Sequence, residues 1–169
     1  MAREPRTAMT TRPAAFGRVG DFHGRGAIMR VTLERRNDAV HFVASTEGGG
    51  VVPIDGAPAV GGQGLGARPM ELLLCGIGGC CGVDIVGILT KQREPVTRME
   101  VQVDAERAPG AEPSVFTTIH VHVTVEGPRS SDHVAHAVEL SLAKYCSVAR
   151  VLEKSAVITW THTLVGGAA

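Results

Sequence analysis

The feature that most constrains the fold is an apolar segment near the middle of this 169-residue chain, residues 72–89. It contains one charged residue, Asp84, and it follows Pro69, a residue type favoured in the first turn of a helix. No further proline occurs before Pro95, so the sequence predicts one long helix from residue 69 to about residue 93. A segment of this length approaches a membrane span, but an aspartate at the bilayer centre would cost roughly 2.5–3.5 kcal/mol. We therefore favour a buried core helix.

Five glycines interrupt this helix, and each costs about 1 kcal/mol relative to alanine in a helix interior. They are Gly76, Gly78, Gly79, Gly82 and Gly87. A sequence that tolerates this loss needs closeness at those positions, and we expect another helix backbone to pass there. If the glycine face meets its own copy, the protein is a homodimer with a helical centre.

Strict alternation of apolar and polar side chains predicts two long strands after the helix. Residues 98–107 direct Met99, Val101, Val103 and Ala105 to one side. Residues 114–126 direct Val115, Thr117, Ile119, Val121, Val123 and Val125 to one side. Such half-buried strands predict one antiparallel hairpin across the turn at Pro109-Gly110.

Shorter patterns complete the fold. Strands are predicted over residues 27–35, 39–45, 51–55 and 156–165, and the glycine-rich residues 56–67 are predicted to be a connecting loop. A second helix begins at the capping cluster Ser130-Ser131-Asp132, and a shorter helical piece covers residues 146–154. The order β-β-β-α-β-β-α-α-β indicates an α+β domain over residues 26–169.

The charges of the chain balance, with 17 basic and 17 acidic side chains, so nothing in the total calls for nucleic acid or an anionic membrane. Six arginines nevertheless fall within residues 1–30. We interpret residues 1–25 as a basic, poorly ordered tail, with a transit peptide or a nucleic-acid arm as alternatives. No apolar run there would serve as a signal-peptide core.

Cysteines are the candidate reactive groups. Four cysteines without an export signal favour a reducing compartment, and we expect the protein to be cytoplasmic. Cys80 lies on the long helix, with Asp84 one turn later on the same face, whereas Cys75 and Cys81 are predicted to lie away from that face. Cys146 lies where a helix restarts, a position that lowers a thiol pKa. The alternative for each is an inert packing cysteine.

Two motifs resemble those of the OsmC/Ohr family. Residues 68–80, Arg-Pro-Met-Glu-Leu-Leu-Leu-Cys-Gly-Ile-Gly-Gly-Cys, are similar to its helix-leading motif, and residues 144–148, Lys-Tyr-Cys-Ser-Val, to its second-cysteine motif. The resemblance implies an OsmC-like fold and an intertwined homodimer with the long helix at its centre. It also implies reduction of organic hydroperoxides or hydrogen peroxide in oxidative or osmotic stress, with a dithiol as the reductant and no cofactor. Cys80 would be the peroxidatic residue and Cys146 the resolving one.

The chain departs from the family's peroxidases at one position. Met70 stands where they carry the glutamate that helps hold an activating arginine, and Glu71 lies about 180° round the helix from the cysteine face. Glu71 and Asp84 are therefore only candidate supporting residues, and the arginine could be Arg30, Arg35, Arg36 or Arg68. A non-catalytic protein of the same fold, binding a small apolar or electrophilic ligand near Cys80, is the alternative function.

Metal binding is the remaining possibility. His120 and His122 lie two apart on one strand, but no carboxylate or cysteine obviously joins them, so we expect them to face solvent and predict no metal site. A cluster of Cys80, Cys81 and Cys146 with a histidine is the competing arrangement.

Overall fold

The computed structural model describes residues 29–166, so the predicted tail of residues 1–25 lies outside the described residues and stays a prediction. The elements are β1 (Val31–Arg35), β2 (Phe42–Thr46), β3 (Val51–Ile54), α1 (Pro69–Lys91), β4 (Arg98–Arg107), β5 (Phe116–Glu126), α2 (Ser131–Leu140), α3 (Ser147–Leu152) and β6 (Val157–Val165). A five-residue π turn, Ser141–Tyr145, joins α2 to α3. The predicted α+β order of elements is confirmed.

Within residues 29–166 the strands form two three-stranded sheets. The first is an antiparallel meander of β1, β2 and β3. In the second, β5 is central: it pairs antiparallel with β4 and parallel with β6. The predicted hairpin is confirmed, with Val103 opposite Val121. A parallel partner requires a crossover, and α2 and α3 supply it.

The alternation of β5 breaks near its start, which corrects one part of the prediction. The register of β4 against β5 shifts between Glu106 and Arg107. Phe116 is 5% exposed, whereas Val115 is 44% exposed and Thr117 is also exposed. A β-bulge adds one residue to a strand and so inverts the alternation beyond it. The remaining predicted positions are buried: Ile119, Val121, Val123 and Val125.

One stripe of α1 lies at the centre of the core. Four side chains at four-residue spacing have no exposed area: Ile77, Cys81, Ile85 and Leu89. The opposite side is open, since Val83 is 77% exposed. Within one chain, the predicted core helix is therefore buried along one of its faces and exposed along the other. By length and composition α1 could also cross a membrane, and 28% of its most apolar part is buried in the structure. Core helices of soluble proteins meet the same criterion of length and composition.

The glycines of α1 do not all serve the predicted purpose. A Cβ atom at Gly78 would lie 3.3 Å from Val103 Cγ2, and one at Gly82 would lie 3.3 Å from Met99 Cε. The close neighbour at these two positions is therefore strand β4, not a second helix. A Cβ atom at Gly79 would have no neighbouring atom within 4 Å. Space for a helix from elsewhere thus remains on that side.

The loop before α1 is organised by one buried carboxylate. Asp55 accepts hydrogen bonds at 2.8–3.0 Å from three backbone N–H groups, those of Gly56, Gln63 and Leu65. The bonds from Leu65 and Gln63 hold the pKa of Asp55 below its usual value. A parallel bridge between Ile54 and Ala67 closes the loop. The predicted connecting loop, residues 56–67, therefore has a defined conformation that leads directly into α1.

A second buried carboxylate joins the end of α1 to the start of α2. Glu94 is 6% exposed and accepts a hydrogen bond from the Arg129 N–H at 2.7 Å. His133 Nδ1 lies 3.1 Å from its other oxygen. The Arg129 amide, followed by His133, lowers the pKa of Glu94. Its ionised form is thus the one that stabilises the fold.

We expect Glu94→Gln to reduce stability near neutral pH more than in acid. A carboxyl whose pKa is lowered by folding stabilises the protein above its unfolded pKa of about 4.5, and this contribution is lost as the pH falls through the folded pKa. Thermal melts of both proteins at about pH 6 and about pH 3 would measure the difference. The variant should melt several degrees lower at the higher pH, and a gap that stays constant in acid would contradict this role of Glu94.

Candidate functional site

Three of the four cysteines meet where α1 packs against the start of α3. Cys80 and Cys81 occupy the middle of α1. Ser141 contacts Asp84 at 3.0 Å, and a Cβ atom at Gly76 would lie 3.7 Å from Val148, so Cys146 packs against the turn of α1 between these two positions. Cys81 and Cys146 have no exposed area, whereas Cys80 is half-buried and Cys75 is exposed outside the cluster. Cys80 is therefore the sulfur of this cluster that a solute can reach.

Cys146 is held by backbone geometry on both sides. Its N–H donates to the Ser141 carbonyl at 2.8 Å, the hydrogen bond that closes the π turn. Its sulfur, as the N-cap of α3, accepts the Ala149 N–H at 3.4 Å. π turns are rare and occur often at functional sites. Here the turn brings Cys146 against the middle of α1.

A polar pair borders the sulfurs. The Ser141 hydroxyl is fully buried and donates to Asp84 Oδ2 at 3.0 Å. The same hydroxyl lies within hydrogen-bonding reach of Cys81. A hydroxyl has one proton, so donation to Asp84 and donation to a Cys81 thiolate exclude each other. Asp84 therefore draws that proton away from Cys81.

Burial keeps the inner sulfurs protonated. It raises the pKa of Cys146 to about 12, against the opposing hydrogen bond from Ala149, and the neighbouring cysteines reinforce the rise. Burial also raises the pKa of Cys81, although hydrogen bonds from Cys146 and Ser141 oppose it. Near neutral pH both are thiols that can donate a hydrogen bond.

The structure thus corrects two expectations. Cys146 does begin a helix as predicted, but its pKa is raised and not lowered, because desolvation outweighs the single N–H that it accepts. Cys81 was predicted to lie away from the reactive face, yet it contacts Cys146. Consecutive residues on a helix differ by about 100°, so a group packed between them reaches both Cys80 and Cys81. Ser141 was missed altogether, because its contact with Asp84 joins residues 57 positions apart and no local sequence pattern indicates it.

Of the two predicted supporting residues, one lies at the cysteine site and the other does not. Asp84 lies at the site through Ser141, as described above. Glu71 is exposed and its carboxylate accepts the Arg68 N–H at 2.8 Å, so it caps the start of α1, about 13 Å along the helix axis from Cys80. Met70 packs against the core.

Two of the four candidate activating arginines contact residues away from the cysteine cluster. Arg35 donates through Nε to the Ala39 carbonyl at 2.8 Å, and Arg36 pairs with Glu34 at 3.0 Å, both within the first sheet. Arg68 lies at the N-cap of α1. The charged neighbour of the cysteine cluster within α1 is Asp84, which opposes a thiolate. A cation that activates Cys80 would have to approach from outside this packing.

The histidine pair faces the outer surface of the second sheet, hydrogen bonded to threonines. His120 contacts Thr159 and Thr161 at 2.8 and 2.9 Å, and His122 contacts Thr161 at 2.7 Å. Within residues 29–166 no group of three or more histidine, cysteine or acidic side chains is placed to hold a metal ion. Neither arrangement considered from the sequence therefore gains support.

An open apolar groove of about 740 Å³ runs along the exposed side of α1 against β4. It is lined by Leu74, Cys75, Gly78, Gly79, Gly82, Val83, Val86, Met99, Val101 and Val103. A contiguous apolar surface of this kind marks a binding or interaction face.

Comparisons with known sequences find a matching family and similar proteins. A family model described as OsmC-like protein matches residues 62–161, a range that contains the whole cysteine cluster. Protein YhfA of Escherichia coli (strain K12) is 46% identical over 98 residues, which cover 57% of this chain and 72% of that protein.

Two solved structures extend the likeness. A hypothetical protein from Aquifex aeolicus VF5 matches with a TM-score of 0.68 and 30% identity, over 82% of this chain and 98% of that one. An organic hydroperoxide resistance protein from Legionella pneumophila matches with a TM-score of 0.62, over 81% of this chain and 97% of that one. Its 12% identity supports a common fold only.

Proposed function

We propose, for a chain that belongs to the OsmC-like family, that it reduces organic hydroperoxides with Cys80 as the attacking thiolate and Cys146 as the resolving thiol. One observation carries the proposal: the fully buried Cys146, 66 residues after the half-buried Cys80, packs against the part of α1 that carries Cys80. A solute can therefore reach the Cys80 sulfur, and the Cys146 sulfur is buried next to it.

The cysteines suit a two-step reduction. The Cys80 thiolate attacks the O–O bond of the hydroperoxide, a sulfur–oxygen bond forms, and the alkoxide leaves as an alcohol after taking a proton. Cys146 then displaces the hydroxyl of the sulfenic acid as water, and a disulfide forms. An external dithiol returns both residues to thiols. The high pKa of Cys146 keeps it from competing for hydroperoxide.

A second copy of this chain is the proposed partner. The apolar groove beside α1 exposes Val83 and leaves free space at Gly79, and the first sheet exposes Val31 and Leu33, each 53% exposed. A homodimer would cover these surfaces and could bring the missing cation to Cys80. Light scattering on the purified protein should give twice the mass of one chain, and a single-chain mass would contradict this assembly. We propose a cytoplasmic location, since the proposed cycle returns its disulfide to thiols and a reducing compartment suits that step.

The test of the proposed function is hydroperoxide consumption by the purified protein with cumene hydroperoxide and dihydrolipoamide. We expect turnover that depends on both substrates, and a disulfide to Cys146 when the protein is oxidised without the dithiol. An absence of turnover with all thiols still reduced would contradict the enzyme and leave the ligand-binding alternative.

A further inference from the structure

The cysteine cluster contains one more sulfur than the proposed reaction uses. Cys81 has no exposed area and lies in the same buried cluster as Cys146. Ser141 contacts Asp84 and Val148 packs at Gly76, so Cys146, between them in the sequence, lies against the turn of α1 that carries Cys81. Cys146 and Ser141 both lower the pKa of Cys81, so its neighbours are not only apolar, as a packing cysteine would require. Cys146 therefore has two possible disulfide partners, adjacent in sequence on α1.

We propose that Cys81 accepts the disulfide from Cys80, so that each chain can reduce two hydroperoxides before it needs an external reductant. The inference rests on the proposed function. It assigns Cys81 a catalytic role, because its sulfur would form and break a bond in the reaction. Cys80 would remain the only residue to meet hydroperoxide, and Cys81 would store the oxidised equivalent in the core.

The step is a thiol–disulfide exchange. After the first hydroperoxide, Cys80 and Cys146 are joined by a disulfide. The Cys81 thiolate attacks the Cys146 sulfur, a Cys81–Cys146 bond forms, and the Cys80–Cys146 bond breaks with Cys80 leaving as a thiolate. No electrons are gained or lost in this exchange. Cys80 can then attack a second hydroperoxide and become a sulfenic acid, which gives four electrons for two hydroperoxides.

The proton of Cys81 has a place to go. Ser141 lies between Cys81 and the Asp84 carboxylate, and its hydroxyl donates to Asp84 Oδ2 at 3.0 Å. Ser141 can pass its own proton to Asp84 and take the one from Cys81. Asp84, which is partly exposed, releases its proton to solvent, and the departing Cys80 thiolate takes one proton from solvent, so the net transfer runs from Cys81 to Cys80.

Burial favours movement of the disulfide inward. A disulfide carries no charge and loses nothing by desolvation, whereas a thiolate at Cys81 or Cys146 is disfavoured there. Solvent reaches Cys80, so this sulfur can carry the negative charge of a leaving group. The exchange therefore leaves the buried pair joined and the accessible sulfur free.

The experiment counts hydroperoxide consumed by pre-reduced protein without any dithiol. We expect about two equivalents per chain for the unmodified protein, but about one for Cys81→Ala. Dimedone should label Cys80 of the unmodified protein at the end of the titration, while fragmentation mass spectrometry finds Cys81 joined to Cys146. One equivalent in both proteins, with Cys80 joined to Cys146, would overturn this inference and leave the proposed function intact. No consumption by either protein would overturn both.

A second arm does not depend on hydroperoxide or on tolerance of a change at Cys81. The Cys80→Ser variant, oxidised with diamide, should form a Cys81–Cys146 disulfide, since both buried thiols are unchanged. Failure of this variant to form that bond, under conditions in which the unmodified protein forms a disulfide to Cys146, would show that Cys81 cannot reach its partner. Circular dichroism of each variant would verify that the fold is kept.

Discussion

Cys80→Ser should lower the turnover of cumene hydroperoxide by about 10³-fold or more, because a serine hydroxyl does not ionise near neutral pH and cannot replace the thiolate. The other two sulfurs of the cluster cannot compensate, since neither has exposed area and burial raises the pKa of both. Initial rates with saturating dihydrolipoamide would measure the loss. The substitution changes one half-buried atom, so the fold should be retained.

A second variant makes this result specific. Cys146→Ser should leave a sulfenic acid on Cys80 that dimedone labels. A Cys80→Ser protein that keeps more than about a tenth of the rate would place the reactive group elsewhere.

Gly127→Ala should destabilise the protein by about 3–5 kcal/mol, through two separate effects. Gly127 follows β5 with a φ of +110°, which side-chain-bearing residues rarely adopt. A Cβ atom there would also collide with the Pro95 carbonyl oxygen and lie 2.9 Å from the Thr97 nitrogen. These are backbone atoms of the segment between α1 and β4, so relief would require the core elements to move.

Gly110→Ala is the control for this prediction. Gly110 also has a positive φ, +67°, but a Cβ atom there would meet nothing within 4 Å. It should therefore lose only the conformational part, about 1–2 kcal/mol. Urea denaturation of the two variants would separate the effects, and equal losses would mean that the segment near Pro95 yields to the added methyl group.

The sequence was sufficient to predict most elements because their patterns are local. Alternation along residues 98–107 and the proline at position 69 depend only on near neighbours. The bulge near Arg107 depends on how two strands pair, so the exposure of Val115 could not be derived from one strand alone. Helical spacing likewise predicted which side chains share a face of α1, but not which face would be covered.

The site shows the same division. Cys80 and Cys146 could be proposed from their motifs, and the role of Asp84 from its position one turn after Cys80. The pKa of Cys146 could not, because it depends on how deeply α3 packs against α1. The position of Cys81 and Ser141 at the site could be recognised only in the folded structure, since the contact between Ser141 and Asp84 joins residues 57 positions apart.

The number of residues in the π turn at residues 141–145 determines the direction in which the Cys146 side chain points. Such a turn holds one residue more than an α-helical turn, and the same five residues contain both the carbonyl that fixes Cys146 and the hydroxyl beside Cys81. An insertion or deletion of one residue there would swing Cys146 by about 100° without altering a single cysteine. The contact of Cys146 with α1 therefore depends on the number of residues between Ser141 and Cys146 as well as on the cysteines themselves.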